Sequence, residues 1–119
     1  MRNFKELKIW QKGFQIATKC FKLTGTFPKE ERFGLTSQLN RVCISIPSNI
    51  AEGSSRTSSK DYHRFIQISV GSCFEAETQL LIAKELNLGD PEIINELLFQ
   101  ISEEEKMLTA FSKCLISGL

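Results

Sequence analysis

Residues 34–53, GLTSQLNRVCISIPSNIAEG, decide the fold class of this chain. Apolar side chains recur there at steps of three and four, which places them on one face of a helix. Pro47 removes one backbone donor inside the pattern and predicts a kink or a local break. We expect a helix over 29–53 and a mobile loop over 54–59. The core face of this helix is Leu35, Leu39, Val42, Ile46 and Ile50.

Three further segments show the same periodicity and predict helices over 4–24, 59–87 and 91–116. Four helices with short connections predict an all-α, antiparallel up-down four-helix bundle, with the whole chain, 1–119, as a single domain. The predicted core stripes are Phe4, Leu7, Trp10, Phe14, Ala17 and Phe21 in the first helix; Tyr62, Phe65, Ser69, Cys73, Ala76, Leu80 and Ala83 in the third; and Ile94, Leu97, Leu98, Ile101, Leu108, Phe111 and Leu115 in the fourth.

Two helices carry a second apolar stripe beside the first. In the first helix it is Ile9, Ile16, Cys20 and Leu23, and in the third it is Val70, Phe74, Leu81 and Leu88. Exposed stripes of this kind favour assembly of several copies into a homo-oligomer. The alternative is a wide core face that covers them. The predicted oligomer contacts are Ile9, Ile16, Leu23, Val70, Phe74 and Leu81.

Composition excludes several classes of protein. No apolar run approaches the roughly 18–20 residues that cross a bilayer, so we expect no membrane partner. The N-terminal segment is charged and lacks an apolar signal core, which favours the cytoplasm. The four cysteines are too far apart for a close metal-binding pair, so free, buried thiols are expected rather than a metal site or disulfides.

Catalytic patterns are also missing from the sequence. A di-iron bundle needs paired Glu-x-x-His motifs, whereas His63 is the single histidine and has Lys60 three residues before it. There is no glycine-rich phosphate loop. The run Glu103-Glu104-Glu105 is interpreted as a solvated helix edge. We therefore expect a protein that is not an enzyme and has no cofactor.

Charge is distributed unevenly along a chain whose net charge is only +1. Residues 1–24 carry a formal charge of +5, and residues 89–119 carry −4. The cations of the first helix, which include Arg2, follow helical steps and could track phosphates, with an affinity that falls as salt rises. An ordinary solvated face is the alternative. The candidate nucleic-acid-binding residues are Lys5, Lys8, Lys12, Lys19, Lys22, Arg41 and Arg56.

The second helix has a polar face opposite its apolar one. Planar hydrogen-bonding groups dominate this face, and such groups fix the geometry of a contact. It is a candidate polar interface, with a plain solvated surface as the alternative. Its residues are Gln38, Arg41, Ser45, Asn49 and Glu52.

Several motifs resemble a known family of bacterial four-helix bundles, often called 23S ribosomal RNA intervening-sequence proteins. The most specific is Ser45-Ile46-Pro47-Ser48-Asn49-Ile50-Ala51-Glu52-Gly53. Others are Phe4-x-x-Leu7-x-x-Trp10, Phe27-Pro28, Gly34-Leu35-x-x-Gln38-x-x-Arg41, Gly71-Ser72 and Glu75-x-Glu77-x-Gln79. The resemblance implies a ring-like homopentamer. It also implies kinship with the accessory protein of diversity-generating retroelements, a basic bundle that binds nucleic acid and a reverse transcriptase.

Two functional hypotheses follow. The first is a non-catalytic homo-oligomer that binds structured RNA or DNA through the basic residues. The second is a protein-interaction scaffold without a nucleic-acid role, in which the basic first helix meets the acidic fourth helix of a neighbouring copy and the polar face of the second helix docks another protein.

Overall fold

The computed structural model describes residues 3–117, which form an elongated bundle measuring 47 × 21 × 20 Å. Its four helices are α1 (Lys8–Thr24), α2 (Leu35–Ser54), α3 (Ser59–Glu85) and α4 (Pro91–Ser117). Successive helices run antiparallel, so the predicted all-α four-helix bundle is confirmed. None of these helices combines the length and the apolar character that a bilayer crossing requires.

Each helix packs against two others. Helix α1 contacts α2 and α4, and α3 also contacts α2 and α4, so that α1 and α3 lie on one diagonal of the bundle over the described residues. The start of α1, the end of α2, the start of α3 and the end of α4 therefore share one end of the molecule, which we call the α2–α3 end. The seam between α1 and α2 faces away from the seam between α3 and α4.

The first two predicted helices begin too early. Phe4–Glu6 form a 3₁₀ turn capped by the Asn3 side chain, and Leu7 is extended, so α1 starts only at Lys8. Lys29–Glu31 form another 3₁₀ turn before α2 starts at Leu35. Single turns of this kind share the local composition of a helix, which is why the periodicity did not separate them.

Helix α2 continues through Pro47 as one helix, so of the predicted kink or local break the break does not occur. The proline ring removes the donor for the Cys43 carbonyl, at a cost of about 3 kcal/mol in an isolated helix. Pro47 is buried, and α2 packs on both α1 and α3. Tertiary contacts therefore hold the turn that local preference disfavours.

Caps and one glycine define the second half of the chain. Ser58 Oγ accepts a hydrogen bond from the Asp61 amide at 3.1 Å, and Asp90 Oδ1 accepts one from the Glu92 amide at 2.9 Å. Gly89 has a φ of +74°, and a Cβ there would lie 2.5 Å from the Phe27 ring. Only glycine fits this turn, because both the dihedral angle and the close approach exclude a side chain.

The predicted core faces of α2, α3 and α4 are largely confirmed. All seven predicted residues of α3 are buried, while Leu35, Leu98, Phe111 and Leu115 lie at the margin of the core. Cys20, Cys43 and Cys73 are buried free thiols, as expected. Cys114 is free but exposed, so that part of the prediction is wrong.

The predicted core face of α1 is wrong for Phe14 and Phe21 but confirmed for Ala17, while Leu7 and Trp10 are partly buried against the core. Phe14 and Phe21 are 50% and 48% exposed, whereas Ile9, Ile16, Cys20 and Leu23 are buried in the core. The buried stripe also contains Gly13 and Ala17. Two apolar stripes lie side by side on this helix, and the bulkier one was assigned to the core. Packing against α2 and α4 determines which stripe is buried, and these helices pack against the stripe with the smaller side chains.

Candidate functional site

The lysines of α1 do not form one free stripe. Lys12 Nζ lies 2.6 Å from Glu103 Oε1, and Lys19 forms an ion pair with Glu96, so both reach α4 of the same chain. Lys5, Lys8 and Lys22 are exposed. Arg2, which was counted with them in the sequence, lies outside the described residues. The basic first helix and the acidic fourth helix thus partly neutralise each other within one subunit, which corrects the expectation that they meet between copies.

Arg41 and Arg56 lie far from each other on α2 and its C-terminal turn. The Arg41 guanidinium donates to Gln38 Oε1 at 2.6 Å, and the Arg56 guanidinium lies 3.0 Å from Glu52 Oε2. Fifteen residues of mostly helical chain separate the two arginines, which corresponds to about 22 Å at 1.5 Å per residue. The seven candidate cations therefore do not converge on one surface of a subunit.

The predicted polar interface of α2 is divided by contacts inside the subunit. Ser45 Oγ donates to Ser72 Oγ of α3 at 2.5 Å, and the Asn49 amide donates to the Ser45 carbonyl at 2.8 Å. These two residues are partly buried, while Gln38, Arg41 and Glu52 are exposed. The middle of the face therefore serves α2–α3 packing, and only its two ends face solvent.

An apolar groove follows the outer seam between α1 and α2. It has a volume of about 360 Å³ and no charged residue in its lining. Phe14 and Phe21, which the sequence pattern assigned to the core, form one wall together with Trp10. Ile44, which is 44% exposed, lies on the other wall. The lining is Trp10, Phe14, Ala17, Thr18, Phe21, Ile44, Pro47, Ser48 and Ala51.

Aromatic contacts order one wall of this groove. The ring centroids of Phe4 and Trp10 are 5.3 Å apart, and those of Trp10 and Phe14 are 5.2 Å apart. Contacts at this spacing are favourable beyond the area that they bury. The 3₁₀ turn before α1 thus supports Trp10, and the wall is fixed before any partner arrives.

A second apolar feature lies on the opposite side of the bundle. Phe74 and Leu81, two turns apart on α3, are 57% and 49% exposed, and we call them the α3 ridge. Val70, the third predicted contact on this helix, is only partly exposed and packs against the core. Ile9, Ile16 and Leu23 are buried inside the subunit, which removes them from the predicted oligomer contacts, because core residues cannot also meet a neighbour.

Glu104 lies in the core, which overturns its interpretation as part of a solvated edge. Its side chain is fully buried, and neither carboxyl oxygen has a hydrogen-bond partner. Burial raises its pKa to about 8, while the charge of Lys12 opposes that rise. Gly13 leaves the space that the carboxyl occupies, since a Cβ on Gly13 would lie 3.1 Å from Glu104 Oε2.

Two further carboxyl groups, Glu77 of α3 and Glu105 of α4, contact each other between these helices. Burial, followed by a hydrogen bond to Glu77 and the charge of Glu77, raises the pKa of Glu105 to about 7. Burial, followed by the charges of Glu104, Glu105 and Glu77, raises the pKa of the Cys73 thiol. Over residues 3–117, no three of the His, Cys, Asp and Glu side chains are grouped as a metal ion requires.

Spacing in the sequence could have revealed Glu104. The buried positions of α4 run Ile94, Leu97, Ile101, then 104 and Leu108, at steps of three and four. A glutamate in such a register is a core residue by position. Gly13 occupies the matching place between Ile9 and Ile16 on α1. No sequence pattern indicated the groove, because it needs two helices to be placed side by side.

The fold and the sequence have recognisable relatives. The chain is similar to a structure from Bacteroides thetaiotaomicron VPI-5482, described as a protein with unknown function from the S23 ribosomal protein family. The TM-score is 0.81 at 22% identity, over 88% of this chain and 98% of that one. No curated protein matches the sequence. Residues 5–110 match the family described as 23S rRNA-intervening sequence protein. This match spans most of the bundle, and the chain therefore belongs to the 23S rRNA-intervening sequence protein family.

Proposed function

We propose that the protein is a non-catalytic homo-oligomer that binds structured RNA or another nucleic acid through its basic surface residues. The proposal has two parts. The apolar groove and the α3 ridge support self-assembly, and the exposed lysines and arginines support the contact with phosphates. Assembly comes first, because it determines how many cations one nucleic-acid molecule can reach.

The apolar groove is the observation that carries the proposal. Phe14, Phe21 and Ile44 are each between 44% and 50% exposed around a lining without charge. Continuous apolar surfaces of this kind are uncommon on monomers and mark contact sites. A subunit that leaves this groove in water forgoes the free energy of burying aromatic side chains, which assembly recovers.

A second copy of this chain is the occupant that we assign to the groove. The α3 ridge projects from the opposite side of the bundle, and Phe74 and Leu81 are apolar side chains of suitable size. A groove that receives a different surface of the next copy makes a head-to-tail contact, and such contacts form a ring when the rotation between successive copies closes on itself. We take a homopentamer as the subunit number, on the basis of the family resemblance.

In such an assembly, cation–phosphate contacts that are weak on one subunit are together sufficient to bind a nucleic acid. Lys5, Lys8 and Lys22 are exposed on each subunit, Arg41 adds an exposed guanidinium, and Arg56 adds a partly exposed one. Repeating these groups around a ring lets one polyanion bind several subunits, and avidity then exceeds the affinity of any single site. A net charge of +1 per chain makes this repetition necessary.

The first test breaks the groove. Phe14→Asp places a carboxylate in the apolar lining and is expected to lower the native mass, measured by light scattering and native mass spectrometry, to that of one 13.5 kDa chain. Phe33→Asp is the matched control, since Phe33 is 89% exposed and lies outside the groove, and its mass should stay at the wild-type value. A wild-type protein that is monomeric at high concentration would contradict the proposal.

The scaffold hypothesis remains the second candidate. Gln38, Arg41 and Glu52 are exposed at the ends of the α2 face and could contact a protein. An oligomer that retains no RNA or DNA at low salt would favour this scaffold over a nucleic-acid-binding assembly.

A further inference from the structure

Formal charge separates along the long axis of the bundle. The close approach of Gly13 to Pro47 and Glu104, together with the Ser45–Ser72 hydrogen bond, marks the middle of the long axis, at which we divide the bundle into two halves. The half at the α2–α3 end contains 3–11, 48–71 and 106–117, with seven Lys and Arg against three Asp and Glu, a net +4. The other half of the described chain contains seven cations against eleven carboxylates, a net −4.

This separation differs from the pattern along the sequence. By sequence, the positive charge belongs to the first helix. In the structure, Lys12 and Lys19 of α1 lie in the acidic half and pair with α4. The positive half instead collects cations from all four helices or their ends: Lys5, Lys8, Arg56, Lys60, Arg64, Lys106 and Lys113. Only three of these seven were candidates from the sequence.

Two arginines are preorganised at the tip of this half. The guanidinium carbons of Arg56 and Arg64 lie 4.7 Å and 4.6 Å from the centroid of the Phe65 ring. Lys60 is exposed between them in the chain, on the first turn of α3. Stacking on an aromatic ring restricts the orientation of a guanidinium. The two stacked arginines are therefore restricted before any ligand binds, and the exposed Lys60 adds a third positive charge to the same surface.

The acidic partner of Arg64 does not close the surface. Arg56 pairs with Glu52 four residues away, and Arg64 pairs with Asp61 three residues away at 3.4 Å. Both are pairs between neighbouring turns of one chain with substantially exposed side chains, and such pairs contribute about 0.5 kcal/mol or less. A phosphate, which accepts two parallel hydrogen bonds from one guanidinium, competes readily with them.

We infer that the α2–α3 end, through Arg56, Lys60 and Arg64, is the surface that contacts the phosphodiester backbone of the nucleic acid. This inference rests on the proposed function and locates its site. A head-to-tail ring related by rotation places the same end of every subunit on one face, so the site repeats around that face. The opposite face, net negative on each subunit, repels the polyanion and fixes its side of approach.

The test compares two double variants that remove the same charge from opposite ends. Lys60→Gln with Arg64→Gln removes two of the seven positive charges of the α2–α3 end, and Lys29→Gln with Lys84→Gln removes the charge of two exposed lysines in the acidic half. The probes are labelled 30-nucleotide single-stranded RNA and DNA of one sequence and an RNA hairpin. Affinity is measured by fluorescence anisotropy over a salt series, and circular dichroism and native mass verify the fold and the assembly.

We expect the first double variant to bind at least about tenfold more weakly at low salt. Its slope of log affinity against log salt on single strands should be smaller by about 1.4, the contribution of two phosphate contacts. The second double variant should stay within about twofold of the wild type. Equal losses in both variants, or no loss in the first, would overturn the inference while leaving the proposed function standing.

Two other outcomes are separable. A wild type that forms the oligomer and binds none of the three probes overturns the proposed function itself. If the first double variant still binds but sediments as a smaller particle than the wild type, the α2–α3 end meets the acidic end of a second copy, and the assignment to nucleic acid is wrong.

Discussion

At the scale of single residues, Glu104 is the group whose surroundings conflict most with its chemistry. A carboxyl that is fully buried and lacks a hydrogen-bond partner is held neutral, since ionising it without water is costly. Its pKa of about 8 follows from that burial. Gly13 provides the space, and Lys12, paired with Glu103, lies close enough to oppose the shift.

Replacing this carboxyl should show how much it lowers the free energy of unfolding at each pH. The pKa is near 4.5 in the unfolded chain and about 8 in the native one, so stability is lost as pH rises between these values, because only the unfolded chain releases the proton. Glu104→Gln removes that titration. We expect the stability of the variant relative to wild type to increase from pH 5 to pH 9 by roughly 3–5 kcal/mol, measured by urea unfolding.

Glu85→Gln, at an exposed position of α3, is the control and should show no such trend. Glu105 also titrates between these pH values, but it is present in the wild type and in both variants, so its contribution largely cancels in the differences. A Glu104→Gln variant whose relative stability is the same at pH 5 and at pH 9 would mean that Glu104 is not held neutral by the core.

At the scale of helices, Gly53 sets how closely α2 and α3 approach. A Cβ at this position would lie 2.7 Å from Phe65 Cβ and 3.1 Å from Tyr62 Cδ1. Phe65 Cβ is attached directly to the backbone of α3, so it can move only if the helix moves. The close approach positions Phe65, on which Arg56 and Arg64 stack.

Two glycine-to-alanine changes should have opposite signs. Gly53→Ala is expected to destabilise the bundle by about 1–3 kcal/mol, because the overpacking exceeds the gain in helix propensity. Gly71→Ala, on the exposed side of α3 with nothing within 4 Å of its Cβ, should stabilise by up to about 1 kcal/mol. Thermal and urea unfolding measure both. Stabilisation by both changes would contradict the close approach of the two helices.

At the scale of the whole molecule, the groove and the ridge make a prediction about mixtures. Phe14→Asp damages the groove and keeps the ridge, while Phe74→Asp damages the ridge and keeps the groove. Each variant alone should be monomeric. Mixed in equal amounts, they should form a 1:1 dimer, since one intact groove can still receive one intact ridge.

Native mass spectrometry with one isotopically labelled variant distinguishes the dimer from the monomers. A contact in which two grooves face each other predicts no mixed dimer, because each mixed pair would include one damaged groove, and it predicts that Phe74→Asp alone still dimerises through its intact groove. A mixture that stays monomeric would therefore rule out the head-to-tail arrangement, even if both single variants lose the oligomer.

Local patterns of residues were enough to predict the number of helices, the end of α1 at Thr24, the start of α3 at Ser59 and the buried faces of α2, α3 and most of α4. These features depend on local spacing, on caps such as Ser58 and on breakers such as Gly25, all of which act within a few residues. The motif Ser45–Gly53 also indicated the family to which the chain belongs. Local chemistry was sufficient for these features because each is decided within one helix.

Only the tertiary structure decided which stripe of α1 is core, where Glu104 lies and which cations share a surface. Phe14 and Ile16 are both suited to a core, and the neighbouring helices select Ile16. Lys19 and Arg64 carry the same charge, yet one faces an acidic helix and the other lies at a basic end. Each of these outcomes depends on groups that are distant in the chain and close in space, and helical periodicity contains no information about such pairs.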